Sequence, residues 1–282
     1  MTQDQSASRF SPEVGIDLAA ARKRAGTWRN AGLASVLLSI LIVCVLVLAV
    51  AILSGTGTTI LAKLIKWTPF LAEGFLLNVV MSLIAISAGT LGGVFLGMGQ
   101  IALVGWISWP SKVLTQIFRN APWLVLLFYC IFLLPYQVKI AGQTFIVANW
   151  LRASIGLTIP VAANFSEIVR GAMQSIPSGQ WEAARSLGYT WRQSVFQVVL
   201  PQCIKRMLPP WMNLYAVLLM ATPLASIVGT QEALTNLRTA LQAEADGRLL
   251  LPFYAYLLSW FFVYSYPIAR FSMALEKRFA IH

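Results

Sequence analysis

Few residues in this chain could do covalent chemistry, and none stands in a pattern that would. The single histidine is His282, the last residue, and the three cysteines, Cys44, Cys130 and Cys203, show no metal-ligand spacing. Without an internal histidine no Ser-His-Asp arrangement can form inside the fold. No glycine directly precedes a lysine, so a Gly-x-x-x-x-Gly-Lys phosphate loop is absent. If the protein consumes ATP, another chain must bind it. Of ten acidic residues only Glu167 is expected near lipid depth, with Arg170 three residues on, the spacing of a helical ion pair. A proton- or sodium-driven carrier needs ionisable groups inside its bundle, and this chain reads as poor in them.

The chain offers a shape instead of a reaction. Gln180–Pro201 is a polar, helix-forming stretch between strongly apolar segments. Ser178, after Pro177, is placed to cap a helix, and Glu182 falls near its first turn, where the helix dipole favours an acid. Ala183 and Ala184 are small and helix-favouring, and Gly188 fits the position just past a helix end. Thr190-Trp-Arg-Gln193 has the form of a capping box for a second short helix. That helix would present Trp191, Val195, Val198 and Val199 on one side and end before Pro201. Two short helices joined at a glycine make a compact knob, and the small residues admit another backbone. On local features alone the stretch reads equally as a stiff connector.

The elements that must hold this knob are membrane helices. The chain is 58% hydrophobic and 11% charged, against roughly 25% charged for soluble domains. No Asp, Glu, Lys or Arg occurs between Arg29 and Lys63, Glu73 and Lys112, Arg119 and Lys139, Arg206 and Glu232, or Arg248 and Arg270. Each gap can hold a span of about 20 residues, and backbone in lipid must be helical or in a closed barrel. Six spans are expected, over 31–54, 76–104, 115–136, 151–171, 207–231 and 250–271. The fourth carries Glu167 and Arg170 near one end.

With six spans and both termini cytoplasmic, 15 of the 21 basic residues fall inside, as the positive-inside rule requires. A Glu at the bilayer centre would cost about 2.5–3.5 kcal/mol, less for Glu167 one turn from the cytoplasmic end. Residues 1–30 are expected as a cytoplasmic tail, and 31–54, too long for a signal-peptide core, as an extra anchor. Disulfides are not expected of these cysteines. The net charge of +11 follows from topology and anionic lipid. It forms no aromatic-interleaved basic patch, so nucleic acid is not an expected partner.

The spacing of Glu182-Ala183-Ala184, Gly188 and Leu200-Pro201 resembles the cytoplasmic coupling motif of ABC importer permeases, with Val198 where isoleucine is more usual. Phe118-Arg-Asn-Ala-Pro-Trp-Leu-Val125 is similar to the Arg-Gly-Thr-Pro-Leu-Leu-Val pattern of the polar amino acid subfamily, matching at Arg119 and Pro122. Ala162-Ala-Asn-Phe-Ser-Glu-Ile-Val-Arg-Gly171 is similar to Ala-Ala-Tyr-x-x-Glu-x-x-Arg-Gly, matching at Glu167, Arg170 and Gly171. One segment departs: where the subfamily often has Lys-Asp-Thr-Ser-Leu, this chain has Met220-Ala-Thr-Pro-Leu224, without the two charges.

The resemblance covers about 75–275 and implies an all-α integral membrane fold, a five-helix permease core with coupling loop 177–201, preceded by the extra helix. It implies a bacterial inner-membrane subunit, without an ATPase site of its own. The implied partners are two ABC ATPase subunits that bind the ATP, a second permease (a copy or a paralogue), an extracytoplasmic solute-binding protein and the bilayer. The implied substrate is a polar amino acid or close analogue. A stand-alone secondary carrier or channel is the rival reading.

Ala85, Gly89, Gly93 and Gly97 form a small-residue stripe along the second span. Such stripes let helices approach closely in lipid, either within one subunit or at a seam with a second permease. Trp67, Trp106, Trp109, Trp150 and Trp211 fall near span ends and read as interface anchors.

Overall fold

A computed structural model describes residues 57–140 and 142–279. The expected tail 1–30 and extra span 31–54, with Cys44, lie outside the described residues, as does His282. Helix α1 is Gly57–Gln100, α2 Gly105–Asn120 and α3 Trp123–Leu133. A hairpin of β1, Gln137–Ile140, and β2, Gln143–Ile146, leads to α4, Asn149–Gln174, and α5, Ser178–Ser186. The short α6, Trp191–Gln193, runs through a π turn, 194–199, into α7, Leu200–Ala221. A 3-10 turn, 222–226, precedes α8, Ala233–Glu244, and α9, Leu250–Phe279.

The fold is helical, as expected, but not wholly so. The hairpin pairs Gln137 with Ile146 and turns at Gly142, whose φ is +82°. Several boundaries also move, each for a physical reason. The second span begins nineteen residues early, at Gly57: Glu73, which bounds the charge-free run, stands exposed on the helix without ending it, and the two lysines before it are paired. Lys63 and Lys66 reach Glu244 at 3.1 and 2.7 Å, and Trp67 donates to the same carboxylate at 2.9 Å.

The expected third span, 115–136, is broken. Pro122 has no N–H, and a residue before proline avoids helical geometry; Ala121 is extended, at φ −71° and ψ 137°. The helices on either side meet at 104°. The expected fifth span starts seven residues early and its α-helix stops at Ala221, before Pro223. Helix α8 had no counterpart among the expected spans. It is short and half polar, as a segment between spans can be.

Among the described residues two helical stretches, Thr59–Gln100 and Gly247–Glu276, are long and apolar enough to cross a bilayer, and the bent pair α2–α3 qualifies jointly. Helix α4 is less apolar because its neighbours cover it. Its Arg152, Ser154 and Ser166 are all buried. The main core packs Met81, Leu157, Val161, Val195 and Leu218 together, and a second gathers Leu71, Leu219, Leu237 and Phe253 around α8 and α9.

In lipid such packing depends on close approach, and the stripe on α1 supplies it. A Cβ on Gly89 would stand 2.4 Å from Val161 Cγ1, one on Gly93 2.8 Å from the Ala162 carbonyl, and one on Gly97 2.7 Å from Val169 Cβ. Ala85, on the same stripe, is fully buried. The glycines therefore face α4 of their own chain. Trp106 and Trp109 stand exposed at the start of α2, whereas Trp211 turns inward and donates to Thr90 at 2.7 Å.

Candidate coupling elbow and the polar junction beside it

The 177–201 segment folds as an elbow. Pro177, rather than Ser178, occupies the cap position of α5, and no side chain caps that end. At the other end Gly188 takes φ +76°. Its N–H reaches the Arg185 carbonyl at 2.9 Å, and that of Tyr189 reaches Ala184 at 3.0 Å, closing the helix in a Schellman turn. Nothing lies within 4 Å of a Cβ built on Gly188, so the glycine answers to backbone conformation alone.

The capping box forms as expected. Thr190 Oγ1 accepts from the Gln193 N–H, and Gln193 Oε1 accepts from the Thr190 N–H at 2.9 Å. The second helix does not end before Pro201. The π turn lets the Leu200 N–H bond five residues back, to Val195, so the proline's missing donor falls where the helical ladder is already shifted. The second arm of the elbow is thus one rod with α7.

The surface of the elbow differs from the expected one. Val195 and Val199 are fully buried and face the core, with Val198 and Leu200 packed against it. Ala184 is buried, while Glu182, Ala183, Gly188 and Pro201 are exposed. The outer tip carries Leu187, 75% exposed, and Phe196, 59% exposed, beside half-exposed Trp191. Neither Leu187 nor Phe196 is expected at the tip from the sequence; Leu187 is an isolated apolar residue in a polar stretch, which is the available signal, whereas Phe196 lies in an apolar run and is not marked out.

Next to the elbow the structure gathers the residues expected at 119 and 167–170. Glu167 takes two hydrogen bonds from Arg170, at 2.6 and 3.3 Å, and lies 3.5 Å from Arg119. Arg170 continues to Gln174 at 2.9 Å. Pro122 sits just past Arg119, at the break that turns α3 away. Gly171 faces open space, and nothing among the described residues accounts for a glycine there.

Glu167 lies between two cavities. One, of about 490 Å³, reaches Lys112, Trp181 and Trp191; the other, of about 630 Å³, reaches Trp123, Asn164 and Asn213. Beside it Gln100 Nε2 donates to Thr115 and Ser166, both at 3.0 Å, tying α1, α2 and α4 together.

A second buried polar group contradicts the expectation that Glu167 alone would lie deep. Glu232 is completely buried, and its carboxylate caps α8 by accepting from Leu234 and Thr235 N–H, each at 3.0 Å. Asn78 donates to it at 2.9 Å and to Thr222 at 3.0 Å. Asn78 and Gln100 are the two carboxamides in the charge-free run 74–111, and each organises a buried network.

Helices long and apolar enough to cross a membrane, a broken one among them, and an elbow continuous with a core helix describe an integral membrane protein. The chain matches the family described as binding-protein-dependent transport system inner membrane component over residues 89–279, and it belongs to that family. The probable glutamine ABC transporter permease protein GlnP of Bacillus subtilis is 33% identical over 74% of this chain and 93% of its own. The probable amino-acid ABC transporter permease protein YckA of the same organism is 31% identical, over 75% and 90%. Among solved structures, an amino acid ABC transporter crystallised with histidines matches with a TM-score of 0.66 and 23% identity, over 77% of this chain and 97% of that one. The inward-facing MetNI methionine ABC transporter matches at 0.58 and 20%, over 73% and 96%. At these identities the structural likeness is one of fold.

Proposed function

We propose that the chain is the permease subunit of an ATP-driven importer for a polar amino acid, and that the 177–201 elbow carries motion from an ATPase subunit. In this reading six spans place both termini in the cytoplasm. ATP is bound by the partner ATPases, a second permease completes the pathway, and a solute-binding protein delivers substrate from outside. The observation that carries the reading is the continuity of the elbow with α7, because a push on its exposed tip is delivered along a core helix without an intervening hinge. The names of the relatives support the substrate class: glutamine for GlnP, and amino acids for YckA.

The proposed chemistry is mechanical. Glu182, Ala183, Gly188 and Pro201 form the open face toward the ATPase, with Ala184, Val198 and Leu200 seating the elbow on the core. Glu167, Arg170 and Arg119 brace the inner ends of α4 and α2 beside it. The test is uptake of a labelled amino acid panel by proteoliposomes holding this chain with its ATPase and binding protein, alongside labelling of a Leu187→Cys variant in sealed cells. ATP-dependent uptake and labelling from the cytoplasmic side support the reading. Uptake without any ATPase, or labelling from outside, overturns it in favour of a stand-alone carrier.

A further inference from the structure

Between α7 and α9, at the end of the molecule that holds the elbow, lies a groove of about 640 Å³ that the importer reading leaves unused. Its position at that end is fixed by Arg206, which donates to the Ser175 carbonyl and hydroxyl at 2.7 and 2.8 Å, just before α5. Arg206 meets no carboxylate within ion-pair distance among the described residues, and Lys205 has neither an ion pair nor a hydrogen bond among them. Pro209 and Pro210 line the same groove. They bring no N–H, so the carbonyls of Lys205 and Arg206 lose their usual helical donors. One carboxylate, Glu276, faces the two cations. Met273, an exposed apolar side chain, lines the groove beside Ala269 and the two proline rings.

These features describe one ligand chemistry: an anion to meet two cations that have no ion-pair partner among the described residues, hydroxyls to donate to freed carbonyls, and hydrocarbon beside them. We propose that the groove seats the headgroup of an anionic phospholipid of the phosphoglycerol type. Lys205 and Arg206 hold its phosphate, and its glycerol hydroxyls donate to the carbonyls that the prolines free. Two cations against one carboxylate select a net negative headgroup over a zwitterionic one, and basic pockets between membrane helices recognise lipid this way. The proposal concerns the α7–α9 groove alone and does not depend on what the elbow touches.

The test is native mass spectrometry of the full chain, with whatever subunits accompany it, titrated with phosphatidylglycerol or phosphatidylethanolamine. Phosphatidylglycerol should be retained in preference, and Lys205→Gln should weaken its retention about five-fold, the effect of one basic charge at the surface. Lys205→Arg should retain it, and Glu276→Gln should strengthen it, which a merely structural disturbance would not do. Arg206 also holds Ser175, so its neutralisation is not the deciding variant. Equal retention of the two lipids overturns the proposal, as does indifference to Lys205→Gln. So does displacement of the lipid by soluble glycerol phosphate at equal concentration, which would make the site one for a free phosphate. Disulfide trapping of Asn213→Cys between two copies of the chain would show the groove covered by protein and overturn it too.

Discussion

Arg119 Nη1 stands 3.5 Å from Glu167 Oε2, across the gap between the helix before the proline break and the central helix α4, while Arg170 holds the same carboxylate from its own helix. One acid therefore serves two guanidinium groups on two elements. Removing the acid leaves two positive charges facing each other, whereas removing Arg119 leaves a good pair behind. Glu167→Gln is expected to destabilise the detergent-solubilised protein by about 1–3 kcal/mol. Arg119→Gln should cost no more than about 1 kcal/mol, since exposed pairs contribute little and Arg119 is 45% exposed. Thermal unfolding of the two variants in one detergent decides the point, and a smaller loss for Glu167→Gln would refute the shared-acid account.

Adjacent glycines on α1 should respond differently. A Cβ on Gly92 would sit 3.4 Å from Ala162 Cβ, whereas one on Gly93 would meet the Ala162 carbonyl at 2.8 Å and Phe165 Cβ at 2.9 Å. Backbone cannot yield as a flexible side chain can. Gly93→Ala is expected to cost about 1–3 kcal/mol by overpacking, while Gly92→Ala should be neutral or slightly stabilising through its higher helix propensity. Melting temperatures of the two single variants test this, and equal values would mean that α4 does not close the space beside Gly93.

How far these features could be read in advance depends on how local their causes are. The Gly188 turn and the Thr190 box are written within four residues each, and both form as expected. The joint at Pro201 was misread because a proline normally ends a helix; the π turn that absorbs it depends on Val195 and Val199 being pulled into the core. An exposed Glu73 does not end α1, which runs back past Lys63 and Lys66; these find Glu244 about 180 residues away, and no window on the sequence sees that pairing. Glu232 was read as surface for the same reason: the donor that makes its burial tolerable, Asn78, lies on another element. Charge bounds a span only when its partner is also local.

The elbow tip gives a third expectation. Gly188 lies at φ +76°, where a β-branched side chain is strained by roughly 1–2 kcal/mol and Asn or Asp less so. Gly188→Val should therefore weaken co-purification with the ATPase more than Gly188→Asp does, with Gly188→Asn mildest, while the level in the membrane is unchanged. Leu187→Ala with Phe196→Ala leaves the backbone intact but removes the exposed apolar tip. That pair should reduce ATPase association by about ten-fold or more, the effect of losing one or two interface anchors. Full association of the double variant would mean that the tip is not the surface the ATPase grips.

The last expectation concerns acid. Hydrogen bonds from Lys66, then Trp67 and Lys63, hold the Glu244 carboxyl down at about 2, well below the roughly 4.3 of an unperturbed glutamate. A depressed carboxylate pKa means that the folded state binds the proton less readily than the unfolded one. The stabilisation is therefore complete above about pH 4.3 and is lost as the pH falls from there toward 2. The segment that depends on it is the joint between α8 and α9, which these contacts tie to the first turns of α1. Hydrogen exchange of 240–250 should be slow and pH-independent, after correction for intrinsic rates, from 7 down to about 5, and should accelerate toward pH 3. Glu244→Gln should be faster at neutral pH and show little of that acid-dependent change. If the variant and the parent exchange alike at pH 7, the lysine clasp contributes nothing to holding this end of the bundle together.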